Sequence, residues 1–191
     1  MDKKVRRPRN LQFPLIVKSL IEEASLGISQ ASVVTDDTKL IERVKFIHER
    51  IETDAIVEQY IDGREVYVGV LGTRRLRTFP AWEIMLGNLP PAAPRIATEK
   101  VKWDPKYQRR HKIKWVRADI SDELQNRLAK TSRRIYRNLN LTGYARLDYR
   151  LSVDGLIYLL EANPNPNIAR EDEFAVSAKA VGISYPRLLE R

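Results

Sequence analysis

The stretch from Tyr144 to Asn165 constrains this chain more than any other: Tyr-Ala-Arg-Leu-Asp-Tyr-Arg-Leu-Ser-Val-Asp-Gly-Leu-Ile-Tyr-Leu-Leu-Glu-Ala-Asn-Pro-Asn. Two strand-like runs flank Asp154-Gly155, a dipeptide suited to a two-residue type I′ hairpin because both central positions need φ > 0. That turn opposes Val153 to Leu156. Counting outward pair by pair, it opposes Asp148 to Glu161 and Arg146 to Asn163. Side chains alternate along a strand, so these four share a face with Arg150, Ser152, Ile157 and Leu159. The other face carries Leu147, Tyr149, Leu151, Val153, Leu156, Tyr158, Leu160 and Ala162, and reads as core.

Directly opposed Cβ atoms lie about 5 Å apart, where like charges repel. With an effective dielectric near 20, two carboxylates at that distance cost each other about 3 kcal/mol. A divalent cation offsets this well, because Mg²⁺ prefers hard oxygen ligands and takes one or two carboxylates plus substrate phosphates. Asn163 adds a neutral oxygen beside Glu161, and Arg146 suits a bidentate grip on phosphate. The same charges also suit a ladder in which Arg146 and Arg150 neutralise the carboxylates. The hairpin alone does not choose between cation and ladder.

At 191 residues, with 43% hydrophobic content, the chain is long and apolar enough for one large domain or two small lobes. It has no cysteine, which excludes disulfides, Cys-ligated zinc and thiol catalysis; His48 and His111 are too few for a histidine-rich metal site. The sequence predicts no membrane-spanning segment and no signal peptide, and a reducing cytoplasm is the default location. A net charge of +9 predicts an anionic partner, whether nucleotide, nucleic acid or acidic protein.

A basic tail over 1–12 precedes the apolar strand Phe13-Pro-Leu-Ile-Val-Lys18, a small-residue loop and a second strand, Ala31 to Val34. Such a loop beside a lysine can cradle phosphate through backbone N–H groups, but taken alone it reads better as a plain surface hairpin, and no Walker-type glycine pattern is present. Thr35-Asp-Asp-Thr opens a helix whose apolar stripe is Leu40, Ile41, Val44, Ile47 and Ile51. Strands at Ile56–Ile61 and Arg64–Leu71 flank Asp62-Gly63, locally another hairpin signal. Ser121-Asp-Glu opens a further helix with Leu124, Leu128, Ile135 and Leu139 inward, and Arg170 to Val181 reads as a helix stopped by Gly182.

In this order the motifs resemble the ATP-grasp superfamily, and within it the D-alanine–D-alanine ligase-like branch. The matching pieces are Phe-Pro-Leu-Ile-Val-Lys18 with its loop, Val-Glu58-Gln-Tyr-Ile61-Asp-Gly-Arg-Glu65, Lys-Val-Lys102-Trp, Arg146-Leu-Asp148 and Leu-Glu161-Ala-Asn163-Pro-Asn. The resemblance implies an α+β ATP-grasp fold with two lobes, 13–61 and 62–191, clamping a nucleotide, so that Asp62-Gly63 runs between lobes rather than turning a hairpin. It implies that Lys18 and Lys102 contact the phosphates of ATP, Glu58 and the Ile61 backbone the adenine, and Glu65 the ribose. Asp148, Glu161 and Asn163 would hold Mg²⁺, or Mn²⁺ in its place, and Arg146 would stabilise the transferring phosphoryl group. The implied partners are ATP and small carboxylate and amine substrates, joined by ADP-forming ligation through an acyl phosphate.

Two departures bear on this. Related ligases carry a further N-terminal substrate domain, and this sequence opens just before the first ATP-grasp strand. The chain is therefore expected to be a fragment, an excised domain or one half of a split enzyme whose N-terminal domain is a separate subunit. The Pro-Asn-Pro after Asn163 also differs from the threonine- or serine-containing loop of D-alanine ligases, which leaves the substrates open. The stretch 86–118, rich in proline, Lys and Arg with Trp103, Tyr107 and Trp115 interleaved, is a mobile basic loop in the ATP-grasp reading. Basic runs with aromatics also bind single-stranded nucleic acid, but no RNA-binding signature accompanies this one. The alternatives to a ligase are thus a non-catalytic Mg·ATP-binding module or subunit and a basic nucleic-acid binder.

Overall fold

Alternation of apolar residues builds a small sheet at the start of the chain and a larger one after it. The computed structural model describes residues 5–22, 25–90 and 92–191. The first four residues of the basic tail, the loop residues Glu23 and Ala24, and Pro91 lie outside the described residues. The chain forms two units: Met1–Asp62 with Leu86–Ile113, and Gly63–Met85 with Lys114–Arg191.

In the first unit β1 (Leu15–Ser19) lies between β2 (Val33–Val34) and β3 (Ala55–Gln59), antiparallel to both. Leu15 and Val17 point to one face and meet Leu40, Val44 and Ile47 of the helical segment that follows. That segment is α1 (Asp37–Phe46), continued by a wider turn over Ile47–Ile51. Asp36 caps α1, its carboxylate accepting the Lys39 N–H at 2.9 Å. Ile41, expected in the apolar stripe, is exposed, because one residue past Leu40 turns a helical side chain about 100° toward solvent. The proline-containing basic stretch includes α2 (Glu99–Trp103) and α3 (Pro105–His111), capped by Thr98 and Asp104. Val101 is fully buried, and the Glu99 N–H donates to the Ile28 carbonyl at 3.0 Å, tying the stretch to the unit.

The second unit contains β4 (Arg64–Leu71), β5 (Arg77–Thr78), β6 (Trp82–Met85), β7 (Lys114–Arg117), β8 (Tyr144–Leu151) and β9 (Ile157–Asn163). They form a six-stranded sheet in the order β7-β6-β4-β8-β9, with β5 pairing β4. Since β3 and β4 belong to different sheets, Asp62-Gly63 makes no hairpin, as the ATP-grasp resemblance implied. Helix α4 (Asp122–Asn138), capped by Ser121, buries Leu128 and Tyr136 against Val66, Val68, Val70, Leu147 and Tyr149. Leu139, expected inward, follows the last turn and stands exposed. On the other face α5 (Glu173–Lys179) and α6 (Tyr185–Leu189) cover one end of the sheet, with Phe174 edge-on to Phe79 at 5.2 Å. Gly69 permits this approach, since a Cβ there would lie 2.5 Å from the Phe79 ring and 3.1 Å from Phe174. Among the described residues no helix is long and apolar enough to cross a membrane.

The Tyr149 hydroxyl and Ser132 of α4 share a buried hydrogen bond of 2.8 Å. Tyr149→Phe strands the Ser132 hydroxyl and is expected to cost about 1–3 kcal/mol in urea denaturation at neutral pH, while adding Ser132→Ala costs less than the sum. Burial pushes the Tyr149 phenol up to about 12, against the pull of its Ser132 bond. The folded state therefore prefers the neutral phenol; that contribution is intact below pH ~10 and is lost as pH climbs toward 12. Parallel stability–pH curves for wild type and Tyr149→Phe across that window would contradict this assignment.

Candidate functional site

The six-stranded sheet has one apolar face, under α4, and one polar face. Pairing of β4 with β8 opposes Glu65 to Arg150, Tyr67 to Asp148 and Gly69 to Arg146. Pairing of β8 with β9 opposes Arg146 to Asn163 and Asp148 to Glu161, the register read from the sequence. Opposed residues project to the same side, so Glu65, Tyr67, Arg146, Asp148, Arg150, Glu161 and Asn163 share the polar face.

The turn that sets this register is not the expected one. Gly155 donates to the Ser152 carbonyl at 3.0 Å and Ser152 to the Leu156 carbonyl at 3.1 Å, so the loop has three residues, with Gly155 at φ 80°. This is a type I turn closed by a left-handed glycine. Near the turn the pairs accordingly shift by one, Leu151 to Ile157 and Tyr149 to Leu159. A bulge next to Asp148 then takes up Leu160 and restores the expected register. Between turn and bulge the faces of β9 are exchanged: Ile157 packs on the core cluster, while Tyr158 and Leu160, expected inward, are exposed. Val153 and Leu156, also expected inward, are exposed at the hairpin tip.

Asp148 is 2% exposed. Arg146 holds it with two bonds, Nε to Oδ1 at 2.7 Å and Nη2 to Oδ2 at 2.9 Å, and donates through Nη1 to Glu173 at the start of α5. The guanidinium carbon lies 5.1 Å from the Tyr67 ring centroid. Burial would lower the Arg146 pKa, but Asp148 first and Glu173 next more than reverse this, so the group stays charged. Three of its five N–H bonds are engaged by these acids, which leaves two for another acceptor.

Glu65 accepts from the Tyr67 hydroxyl at 2.9 Å and pairs with Arg150 at 3.2 Å. Burial, then Glu65 and Asp148, hold the Tyr67 phenol well above its ordinary range, so Tyr67 acts as a donor. The Asn163 side-chain nitrogen donates to Glu161 Oε1 at 2.7 Å and, more weakly, to Asp148 Oδ2 at 3.5 Å. In this cluster four acids (Glu65, Asp148, Glu161, Glu173) thus stand around the guanidiniums of Arg146 and Arg150.

This donor set fits a hard divalent cation. Two carboxylates are bridged by a single amide, and that amide offers an oxygen when turned over. Among the described residues no three His, Cys, Asp or Glu form a metal-holding group. A cation here would therefore rest on Asp148, Glu161 and Asn163 and complete its shell with phosphate oxygens or water.

In the first unit Lys18 and Glu58 form a diagonal cross-strand ion pair at 2.5 Å on the face of β1 and β3 turned away from α1. Both are partly exposed, so the pair contributes at most about 1 kcal/mol and opens easily to a stronger anion or cation. Ile61 follows β3, and Lys102 lies on α2; both are half-buried. At the mouth of the loop after β1, the Ser19 hydroxyl accepts the N–H groups of Ile21 at 3.2 Å and Glu22 at 3.0 Å. Sequence reasoning missed Tyr67 and Glu173. Neither carries a local motif; their places follow from the β4–β8 pairing and from where α5 begins.

The chain matches the family model described as D-ala D-ala ligase C-terminus over residues 2–191. It is 32% identical over 181 residues to uncharacterized protein y4sG of Sinorhizobium fredii, covering 94% of this chain and 51% of that protein. It is 30% identical over 181 residues to the D-alanine–D-alanine ligase of Desulfotalea psychrophila, covering 95% and 53%. Thus the chain spans about half the length of the curated relatives it matches. Among solved structures, the D-alanine–D-alanine ligase of Bacillus anthracis complexed with ATP superposes with a TM-score of 0.73 at 24% identity, covering 99% of this chain and 55% of that one. The VanG D-Ala:D-Ser ligase of Enterococcus faecalis gives 0.74 at 24% identity, covering 95% and 49%. These likenesses establish the α+β fold with its two sheets.

Arg146 is the group whose loss the polar face should tolerate least. Arg146→Met leaves Asp148 and Glu173 without their guanidinium and is expected to cost about 3–5 kcal/mol in chemical denaturation. Asp148→Asn in the same background should restore more than 1 kcal/mol of that loss. A cost below about 1 kcal/mol for Arg146→Met would show that the clamp is not structural.

Proposed function

The chain belongs to the D-ala D-ala ligase C-terminus family, and from that membership we propose that it is the ATP-grasp core of an ADP-forming carboxylate–amine ligase. The observation that carries the proposal is the facing pair Asp148 and Glu161, with Asn163 bridging them and Arg146 alongside. Together they form an electron-rich oxygen cluster bordered by a fixed guanidinium. Phosphoryl transfer needs little from a protein beyond position and charge neutralisation, and this cluster supplies both without a nucleophilic side chain.

In this reading Asp148, Glu161 and Asn163 hold Mg²⁺, or Mn²⁺, which when bound neutralises charge on the ATP phosphates. Lys18 leaves its surface pair with Glu58 for a phosphate, and Lys102 takes another. Glu58 and the Ile61 backbone bind the adenine, and Glu65 the ribose hydroxyls, its carboxylate held in place by Tyr67 and Arg150. Arg146 directs its two remaining N–H bonds at the transferring phosphoryl group, whose attack by a substrate carboxylate gives an acyl phosphate. An amine then displaces phosphate to complete the amide. The loop after Asn163, anchored by the Tyr144 hydroxyl bond to Asn165 at 3.2 Å, shapes the amine side.

Calorimetric titration with Mg·ATP tests the nucleotide part, and ADP release in the presence of paired amino acids tests the ligase part. Binding should weaken about tenfold or more in Lys18→Ala and Lys102→Ala, as expected for loss of a charged contact. Glu161→Gln should reduce the dependence of ATP binding on Mg²⁺. Absence of Mg·ATP binding removes the proposal, and binding without any turnover leaves a nucleotide-holding module or subunit as the function.

A further inference from the structure

Strand β9 ends the order of the six-stranded sheet, so among the described residues its outer main-chain groups face no partner strand. Edges of this kind are ordinarily guarded by lysine, by proline or by a covering element. Over Ile157–Asn163 the only charge is Glu161 and there is no proline. Tyr158, Leu159 and Leu160 are all exposed, as is Leu156 just before them. The bulge at Leu160 guards the edge, but it lies beyond the part of the strand nearest the turn.

One flank of α4 is cationic: Arg127, Lys130, Arg134 and Arg137 are exposed and fall at i, i+3, i+7 and i+10, one face of the helix, and the first two of them stand beside that part of the edge. None of them forms an ion pair with another described residue. An open groove of about 410 Å³ joins helix and edge, lined by Arg127, Lys130, Thr131, Leu156, Ile157 and Tyr158.

We propose that the β9 edge, its groove and the α4 cations take up an extended acidic segment of another protein as an added strand. Such addition draws affinity from main-chain bonds and specificity from alternate side chains. Alternate residues of a strand are about 6.6 Å apart, and cations three or four residues apart on a helix are about 4.5–6 Å apart along its axis, so acids at every second position match the spacing of Arg127 and Lys130 at the groove. Charge selects the partner. A second copy of this chain, itself at +9, would bring the same unpaired cations to the contact. A nucleic acid would satisfy the cations and leave the strand edge and its leucines uncovered. None of this depends on the nucleotide-binding proposal, whose cluster lies on the other face of the sheet from α4.

The probe is a fluorescein-labelled ten-residue peptide alternating glutamate and valine, followed by anisotropy with the whole chain. It should bind in the micromolar range and weaken as salt rises. Arg127→Glu with Lys130→Glu, both exposed and unpaired, should weaken it about tenfold or more while leaving the circular dichroism and melting temperature unchanged. N-methylation of alternate peptide amides on the strand-pairing edge should abolish binding while charge and sequence stay the same. Equal binding of the N-methylated peptide, or tighter binding of a single-stranded oligonucleotide that competes with it, would overturn the proposal. So would sedimentation showing a dimer that Leu159→Lys dissociates, since the edge would then belong to a second copy.

Discussion

A buried guanidinium holds the polar face of the larger sheet together. Asp148 and Glu173 could not both sit out of water as carboxylates without Arg146, which spans them from one side while its plane lies over Tyr67. Desolvating even one such charge without a partner costs several kcal/mol, and the paired arrangement roughly breaks even against an apolar core. A chain selected for stability alone would have filled this face as it filled the other, with valine and leucine. It gathers four acids and two arginines instead, opposite a well-packed apolar face, and this is the charge that the proposed cation and nucleotide would meet.

The clamp depends on packing some distance away. Glu173 reaches Arg146 because α5 lies close on the sheet, and α5 lies close because Gly69 has no side chain to keep Phe79 and Phe174 off. Gly69 is also the residue opposed to Arg146 in the β4–β8 ladder, so the position that admits the aromatic pair leaves room for the guanidinium beside it. Tyr67, one alternation further along β4, closes the arrangement by linking the Arg146 side of the face to the Glu65–Arg150 pair.

How far the sequence could be read follows from the range of each interaction. Caps and stripes are local, so Asp36 and Ser121 opened their helices where expected, and β4 ran from Arg64 to Leu71 as drawn. The facing of Asp148 and Glu161 was legible for a less direct reason. Asp154-Gly155 suggested a two-residue turn, the chain uses three residues, and the bulge at Leu160 cancels the difference before the acidic pair is reached. The intervening residues show the error plainly, with Ile157 inward and Tyr158 and Leu160 outward. What could not be read is whatever rests on pairing across many residues. Arg150 as the partner of Glu65 requires the β4–β8 ladder, and Glu173 as the partner of Arg146 requires both that ladder and the seating of α5. The Lys18–Glu58 pair follows the same rule, since it needs the β1–β3 register before its diagonal can be drawn.

The bulge therefore serves two ends of one hairpin. By absorbing Leu160 it brings Glu161 and Asn163 onto the face of Asp148, where opposed carboxylates and an amide make an oxygen cluster. By exchanging the faces on its other side it turns Ile157 toward the core and leaves Tyr158 outward, beside the groove that runs to α4. A plain ladder from Ile157 to Asn163 could satisfy only one of these demands, because side chains alternate without exception while the register is regular. One inserted residue breaks that coupling. It lets a single strand present charge at its far end and keep its near end anchored to the apolar layer, without the far end dictating which residues the near end must bury.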